Sequence, residues 1–179
     1  MTGVTAFETA RLRLRRQTLA DAPAVLALLN DPDFIANIGD RGVRTLDEAQ
    51  RYIEAGAIAS YAAHGFGLWL VERKADGAPL GVCGLVKRPQ LPNVDLGYAL
   101  LPAFRGQGYA REAVAATLEH AHSAHGLTRL IAVVDPANAP SRRLLEAFGF
   151  AFERMVRMAP EEPEILLLAR AAPLSAARS

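Results

Sequence analysis

At 179 residues, 51% of them hydrophobic and 22% charged, the chain suits one domain with a substantial core, and two would be cramped. With 20 basic and 19 acidic residues the formal charge is +1, so there is no global field for gripping nucleic acid or an anionic membrane, and any anion site must be local. The lone cysteine, Cys83, excludes an internal disulfide and a multi-cysteine metal cluster. Charges at Glu8, Arg11 and Arg13 in place of an apolar leader, and the lack of any membrane-length apolar run, make a cytoplasmic protein the expectation.

Residues 7–16 (FETARLRLRR) alternate, with Leu12 and Leu14 on one side and Arg11, Arg13 and Arg15 on the other, which predicts a half-exposed first strand. The arginines read either as a grip on nucleic acid or as protective charge on an edge strand's wet side, and the balanced total charge favours the second. Asp21 and Pro23 open a helix through Ala24, Val25, Leu28 and Leu29 that stops near Asn30-Asp31-Pro32. A loop is expected over 33–44. Thr45-Leu46-Asp47-Glu48 has capping-box spacing and predicts a helix to about Ala63. Two helices ahead of most of the sheet are placed to wall a pocket. Residues 66–74 (FGLWLVERK) and 80–87 (LGVCGLVK), joined at Ala75-Asp76-Gly77, predict an antiparallel hairpin ended by Pro89 and Pro92. Within it Cys83 reads as buried filler, since no electropositive neighbour is evident.

Residues 94–121 (VDLGYALLPAFRGQGYAREAVAATLEHA) read as a strand that runs through a proline and a glycine-punctuated turn into an amphipathic helix. The first N–H groups of a helix lack internal partners and carry the positive end of its dipole, which favours an anion such as pyrophosphate. Gly106 and Gly108 remove side chains that would block backbone approach, and Arg105 adds a planar fork of donors. Gly97, inside the strand, suggests a bulge or a close approach. Residues 129–134 (RLIAVV) form a short apolar strand reached through a helix, so it can lie parallel to the central one. Asn138-Ala139-Pro140-Ser141 starts a last helix, Gly149 ends it, and closing strands follow near 150–158 and 164–169. The tail from Ala171 is expected to be loose.

Three nucleotide-binding patterns compete for 105–110. A phosphate loop needs Lys and Ser or Thr after its last glycine, and none follows Gly108; a dinucleotide fingerprint needs glycine or alanine where this chain has Arg111. The third is a resemblance. Arg-x-x-Gly-x-Ala after a strand, leading into Arg111-Glu112-Ala113, is similar to the acetyl-coenzyme A loop of the GNAT N-acetyltransferase superfamily. Asn138-x-x-Ser141 through Phe148-Gly149-Phe150 resembles that family's other common motif at the expected distance. TARLRLR, LGYALLPAFRGQGYAREA and the Asn-x-x-Ser spacing resemble the RimJ/RimL-type branch, whose members acetylate ribosomal-protein N-termini, antibiotics and small amines.

The resemblance implies one α/β domain over 1–179, with its core at about 7–170. It implies a GNAT-type mixed, mostly antiparallel sheet flanked by helices on both faces, with a V-shaped opening between the central strand and 129–134. It places the pyrophosphate of acetyl-coenzyme A on Arg105, Gly106, Gln107, Gly108, Tyr109, Ala110 and Arg111, and the pantetheine arm along Leu100 and Leu101. Without the second motif, the glycine turn would equally be a tight helix entry. Asn138 has a structural alternative as a helix cap, but its family counterpart also touches the cofactor, so the resemblance assigns it to cofactor binding.

Acyl transfer to an amine needs a neutral nucleophile, stabilisation of the oxyanion and relief of charge on the departing thiolate. Asp95, the only carboxylate in an apolar strand, is the candidate base, acting through water; the alternative is a solvated residue at a strand start. Many GNAT enzymes carry a tyrosine acid on the last helix where this chain has Leu145. Ser141, one turn earlier, resembles the serine that RimL-type enzymes place near the sulfur, and is otherwise a first-turn residue. Glu112 suits the helix dipole, and Tyr98, on the opposite face from Asp95, reads as packing. His120, His122 and His125 crowd the end of the long helix, only His122 and His125 sharing a face, so no metal is implied. His64 is placed to line an amine pocket. The implied activity is direct transfer of acetyl to a primary amine in a ternary complex, foremost a protein N-terminal α-amine. The alternatives are a small-amine acetyltransferase and a noncatalytic acyl-coenzyme A binding module. The acceptor pocket falls in 30–63, where Arg41 and Arg44 can greet an acidic acceptor, and a homodimer is compatible with the resemblance.

Overall fold

The computed structural model describes residues 3–171. Its N-terminal segment is a hairpin rather than one strand: β1 (Thr5–Glu8) and β2 (Leu12–Arg15) are joined by a turn in which the Thr9 hydroxyl accepts the Leu12 amide at 3.0 Å. Because β1 covers one side of β2 and β3 (Leu68–Arg73) the other, the arginine strand is not an edge. Leu12 and Leu14 are fully buried as the alternation requires. Arg15 departs from it: it is only 7% exposed and bonds Asp21 and Glu72, both buried. An arginine reaches the interior there because two carboxylates meet its fork of donors.

Helix α1 (Ala22–Leu29) lies where the sequence places it. A short helix α2 (Pro32–Asn37) takes the first part of the expected loop, and 38–44 remain without regular structure; Asp31 accepts the Phe34 amide and Pro32 takes the first helical position, a start signal the sequence contained. Helix α3 (Leu46–Ile53) begins with the predicted capping box, Thr45 accepting the Glu48 amide at 3.2 Å and Glu48 accepting the Thr45 amide at 3.0 Å. It continues through a π-turn (Glu54–Ile58) into α4 (Ala59–His64), which ends at Gly65 in the left-handed region.

Strand β4 (Pro79–Val86) pairs with β3 and with β5 (Asp95–Leu100). Helix α5 (Tyr109–His125), which starts two residues before Arg111, leads to β6 (Arg129–Val134), α6 (Ala139–Ala147), β7 (Ala151–Arg157) and β8 (Glu164–Ala171). Ala171 thus ends β8 instead of opening a loose tail; the rest of the expected tail, 172–179, lies outside the described residues. The sheet order is β1-β2-β3-β4-β5-β6-β8-β7, antiparallel throughout except between β5 and β6. Val114, Leu118 and Ala121 of α5 pack with Trp69, Leu85 and Leu96 on one face, and α1 and α3 close over Val82 on the other. Each fully buried Leu or Val there contributes about 1.5–3 kcal/mol against exposure.

Pairing of β4 with β5 runs in regular register from Gly81↔Leu100 to Val86↔Asp95. Gly97 therefore forms no bulge, and a Cβ there would meet Leu68 Cδ2 at 3.4 Å and Val86 Cγ2 at 4.0 Å. On its other side β5 pairs with β6 at Asp95↔Ile131 alone. Beyond that pair the strands part. Pro102, which has no N–H to donate, then carries the chain away through a short 3-10 turn.

Candidate functional site

The parting of β5 from β6 leaves backbone groups without a strand partner. The Val94 carbonyl accepts from Ile131, facing β6, and the Leu101 amide donates to Leu80, facing β4. Alternation then turns the amides and carbonyls of Tyr98 and Leu100 into the opening and those of Ala99 and Leu101 away. Leu101 is fully engaged, since its carbonyl also accepts from Phe104. The unpaired strand edge is thus Tyr98 and Leu100, and Leu101 drops out of it. Leu100 already shares its carbonyl with Arg105 Nε at 3.0 Å.

Arg105 is not a free anion ligand. Its remaining nitrogens bond Asp33, at 2.6 Å, and Asp31, which ties the turn to the start of α2. What the turn presents is main chain. Gly106 and Gly108 have φ of +72° and +81°, and among the described residues the amides of Gly106, Gln107, Gly108, Tyr109, Ala110 and Arg111 have no protein acceptor. The turn is held from behind by Arg11, a residue sequence reasoning assigned to the wet face of a strand. Arg11 donates to the Gln107 carbonyl (3.0 Å) and to Glu112 Oε2 (2.7 Å), and covers the Tyr109 ring at 4.3 Å. Glu112 also accepts from the Thr9 hydroxyl (2.5 Å) and the Arg11 amide (2.9 Å), so its role is structural, as expected, but as an anchor between hairpin and helix. Gln107 turns its side-chain amide to the Ala103 carbonyl, and the Tyr109 ring is buried. Nothing in the sequence pairs residue 11 with residue 112.

At the vertex lies Asp95, 1% exposed. Oδ2 accepts from Arg88 Nε at 2.9 Å, while Oδ1 is buried with no hydrogen-bond partner. Burial pushes the carboxyl up to about 6 against the charge and hydrogen bond of Arg88 and the nearby Val133 amide. Solvation at a strand start is therefore ruled out. On the other face, as expected, Tyr98 points toward α6, but it does more than pack: its hydroxyl lies 2.7 Å from Ser141 Oγ. Burial pushes the phenol up to about 12, so it stays protonated. Asn138 caps α6, its Oδ1 accepting the Ser141 amide at 3.3 Å, and Leu145 is buried in the core. Arg111 extends over the Phe148 ring (5.4 Å), joining the first turn of α5 to the end of α6.

The remaining candidates fall elsewhere. His64 stacks on Phe66, which meets His125, which in turn lies 5.2 Å from His120; ring contact therefore joins His120 to His125, a pairing the face argument excluded. Burial, then His125, lowers the pKa of His120. Cys83 is buried beside Thr117 and its thiol is pushed up to about 12, too high for a nucleophile. A cavity of about 390 Å³ behind the glycine turn is lined by Ala10, Arg11, Arg73, Lys74, Ala75 and Tyr109. Its cations are paired with Glu112, Asp76 and Glu8, so it holds no spare charge for an anion. Among the described residues no group of His, Cys, Asp and Glu is arranged to hold a metal ion, and no helix is long and apolar enough to cross a membrane.

A turn of main-chain amides, an unpaired strand edge and a buried carboxylate thus lie along β5 and the start of α5, a layout that suits a phosphorylated thioester and the acyltransferase class. Residues 11–151 match the acetyltransferase (GNAT) domain, and the chain belongs to that family. It is 30% identical over 152 residues to an uncharacterized N-acetyltransferase, YoaA, of Bacillus subtilis, covering 84% of this chain and 85% of that one. It is 28% identical over 177 residues to the L-2,4-diaminobutyric acid acetyltransferase of Streptomyces avermitilis, covering 92% and 89%. The structure superposes on a candidate GNAT-family acetyltransferase from Bordetella pertussis with a TM-score of 0.78 at 28% identity, covering 92% and 98%. The protein is an acetyl-coenzyme A-dependent acyltransferase.

Proposed function

We propose that the protein moves acetyl from acetyl-coenzyme A to a primary amine, foremost a protein N-terminal α-amine in the cytoplasm, by direct transfer in a ternary complex. The sequence features shared with the RimJ/RimL-type branch support the choice. In this reading the free amides of 106–111 hold the pyrophosphate, Tyr98 and Leu100 line the arm, and the Asn138 side-chain amide lies at the start of α6 within the same mouth.

The observation that carries the proposal is Asp95 at the vertex, buried and with Oδ1 unpartnered. Such a group takes a water or the amine itself, and the proton lost as the C–N bond forms passes to it. Its position near 6 narrows the acceptor. Taking a proton from an α-ammonium with pKa near ~8 is uphill by about 3 kcal/mol, and from a lysine ammonium near ~10.4 by about 6 kcal/mol. The smaller step favours an α-amine over a lysine side chain. A small amine is the second reading, favoured by full-length similarity to the diaminobutyric acid acetyltransferase.

Release of coenzyme A thiol from acetyl-coenzyme A tests both, with peptides beginning in serine or alanine against a panel of small amines that includes 2,4-diaminobutyrate. Release above the hydrolysis blank with the peptides supports the first reading, and release with small amines alone supports the second. Tight cofactor binding without release on any acceptor would make the protein a binding module.

A further inference from the structure

The Tyr98–Ser141 contact has no counterpart in the sequence reading. It spans the opening, from the middle of β5 to the first turn of α6. We propose that Tyr98 is a positioning residue for departure of the thiolate: its O–H donates to Ser141 Oγ and so turns the serine's own proton outward, toward the sulfur. The inference rests on the acetyl-transfer reading above and deepens it.

Chemistry decides the direction of the bond. Phenol is a far stronger acid than an aliphatic hydroxyl, so Tyr98 is the donor, and of the two acceptors within its reach Ser141 Oγ at 2.7 Å takes the proton ahead of the Ser141 carbonyl at 3.4 Å. The Ser141 proton is then free to point elsewhere. Without Tyr98 a first-turn serine bonds to backbone carbonyls of its own helix and turn, which wastes the proton. Leu145, buried in the core, offers nothing in its place. Asp95 and Tyr98 project from opposite faces of β5, three residues apart, or ~10 Å along the strand. Base and hydroxyl pair can therefore meet a bound thioester from opposite sides.

Magnitude also sets what the pair does. A thiol ionises near ~8.5, several units below a buried tyrosine, so full proton transfer from Tyr98 to the departing sulfur is uphill. The pair gives a hydrogen bond and not a proton. The C–S bond breaks with its electrons on sulfur, the thiolate accepts from Ser141 Oγ–H, and it takes its proton from solvent on release. The amine proton leaves through Asp95, so the reaction balances with no tyrosinate.

The test combines turnover with the ultraviolet titration of the thiol of bound coenzyme A, which needs no acceptor. Tyr98→Phe and Ser141→Ala each lower kcat about 10- to 100-fold, as loss of one hydrogen bond to a charged group would, with little change in the acetyl-coenzyme A dissociation constant. The double variant is no slower than the worse single one, and Ser141→Thr, which keeps a hydroxyl, restores activity. In the wild type the bound thiol ionises about one unit below free coenzyme A, and both single variants return it to the free value. Additive losses, or a bound thiol that titrates alike in wild type and Tyr98→Phe, overturn the inference even if the wild type acetylates amines. A wild type that acetylates nothing overturns the acetyl-transfer reading, and this inference with it.

Discussion

Gly108 holds φ +81°, and a Cβ there would lie 3.3 Å from Arg11 Nη2. Gly106 holds φ +72° with no atom within 4 Å of its own added Cβ. Alanine at either site costs about 1–2 kcal/mol of left-handed strain. Both replacements also put a methyl group beside the amides proposed to hold the pyrophosphate. The expectation is a dissociation constant for acetyl-coenzyme A raised about tenfold or more in each, with the larger drop in Tm for Gly108→Ala, measured by calorimetry and thermal melts. Equal affinity would show that the turn is only a helix entry. At this scale the sequence was informative where one residue type has few uses: glycine in a turn, or one carboxylate in an apolar strand. It was silent about Tyr98, because a residue that alternation places on a packed face carries no mark of the hydroxyl it will meet from another element. It misread Arg105 for the same reason. Its charge suited phosphate, and only the fold brings Asp31 and Asp33 to it.

Among elements, the join between the β1–β2 turn and α5 braces the turn proposed to hold the pyrophosphate. Glu112 is the node, accepting from Thr9 and twice from Arg11, whose guanidinium reaches on to the Gln107 carbonyl. Glu112→Ala leaves those donors without a partner at a cost of about 1–3 kcal/mol. It should lower Tm and weaken acetyl-coenzyme A binding while kcat at saturating cofactor stays near wild type. A fall in kcat alone would separate this anchor from the cradle. Boundaries of the strands and of α6 were legible, since periodicity and caps are local. The division of residues 5–15 into a hairpin was not: Thr9 closes its turn with a hydroxyl to a backbone amide, and the alternation ran straight through it. Nor was the π-turn in the α3–α4 helix, because the apolar pattern and capping box look the same with or without one extra residue in a turn.

For the molecule as a whole, two buried carboxyls pull stability in opposite directions with pH. Burial pushes Asp21 up, but Arg15 and the Thr18 amide overcome it and leave its pKa below the usual range. Its contribution is thus present above the unfolded value near ~3.9 and lost as pH falls through the folded one. Asp95, raised to about 6, does the reverse. The folded state favours its protonated form, so its contribution is present below ~3.9 and lost as pH rises through about 6. Asp95→Asn removes that loss while its amide oxygen can still accept from Arg88. In melts from pH 4 to 7 the variant should therefore gain on the wild type as pH rises, by on the order of 1–3 kcal/mol at the top of the range. A variant that loses ground with rising pH would place a favourable, solvated charge at residue 95.

The same variant tests the catalytic centre directly, through the pH dependence of kcat/KM for acetyl transfer measured beside the acetyl-coenzyme A dissociation constant. The wild type should gain activity through a limb near 6, where Asp95 ionises. Asp95→Asn should lose that limb and about 100-fold or more in rate, with cofactor affinity unchanged. A variant that keeps both the limb and the rate would contradict a carboxylate base at the vertex of the β5–β6 opening.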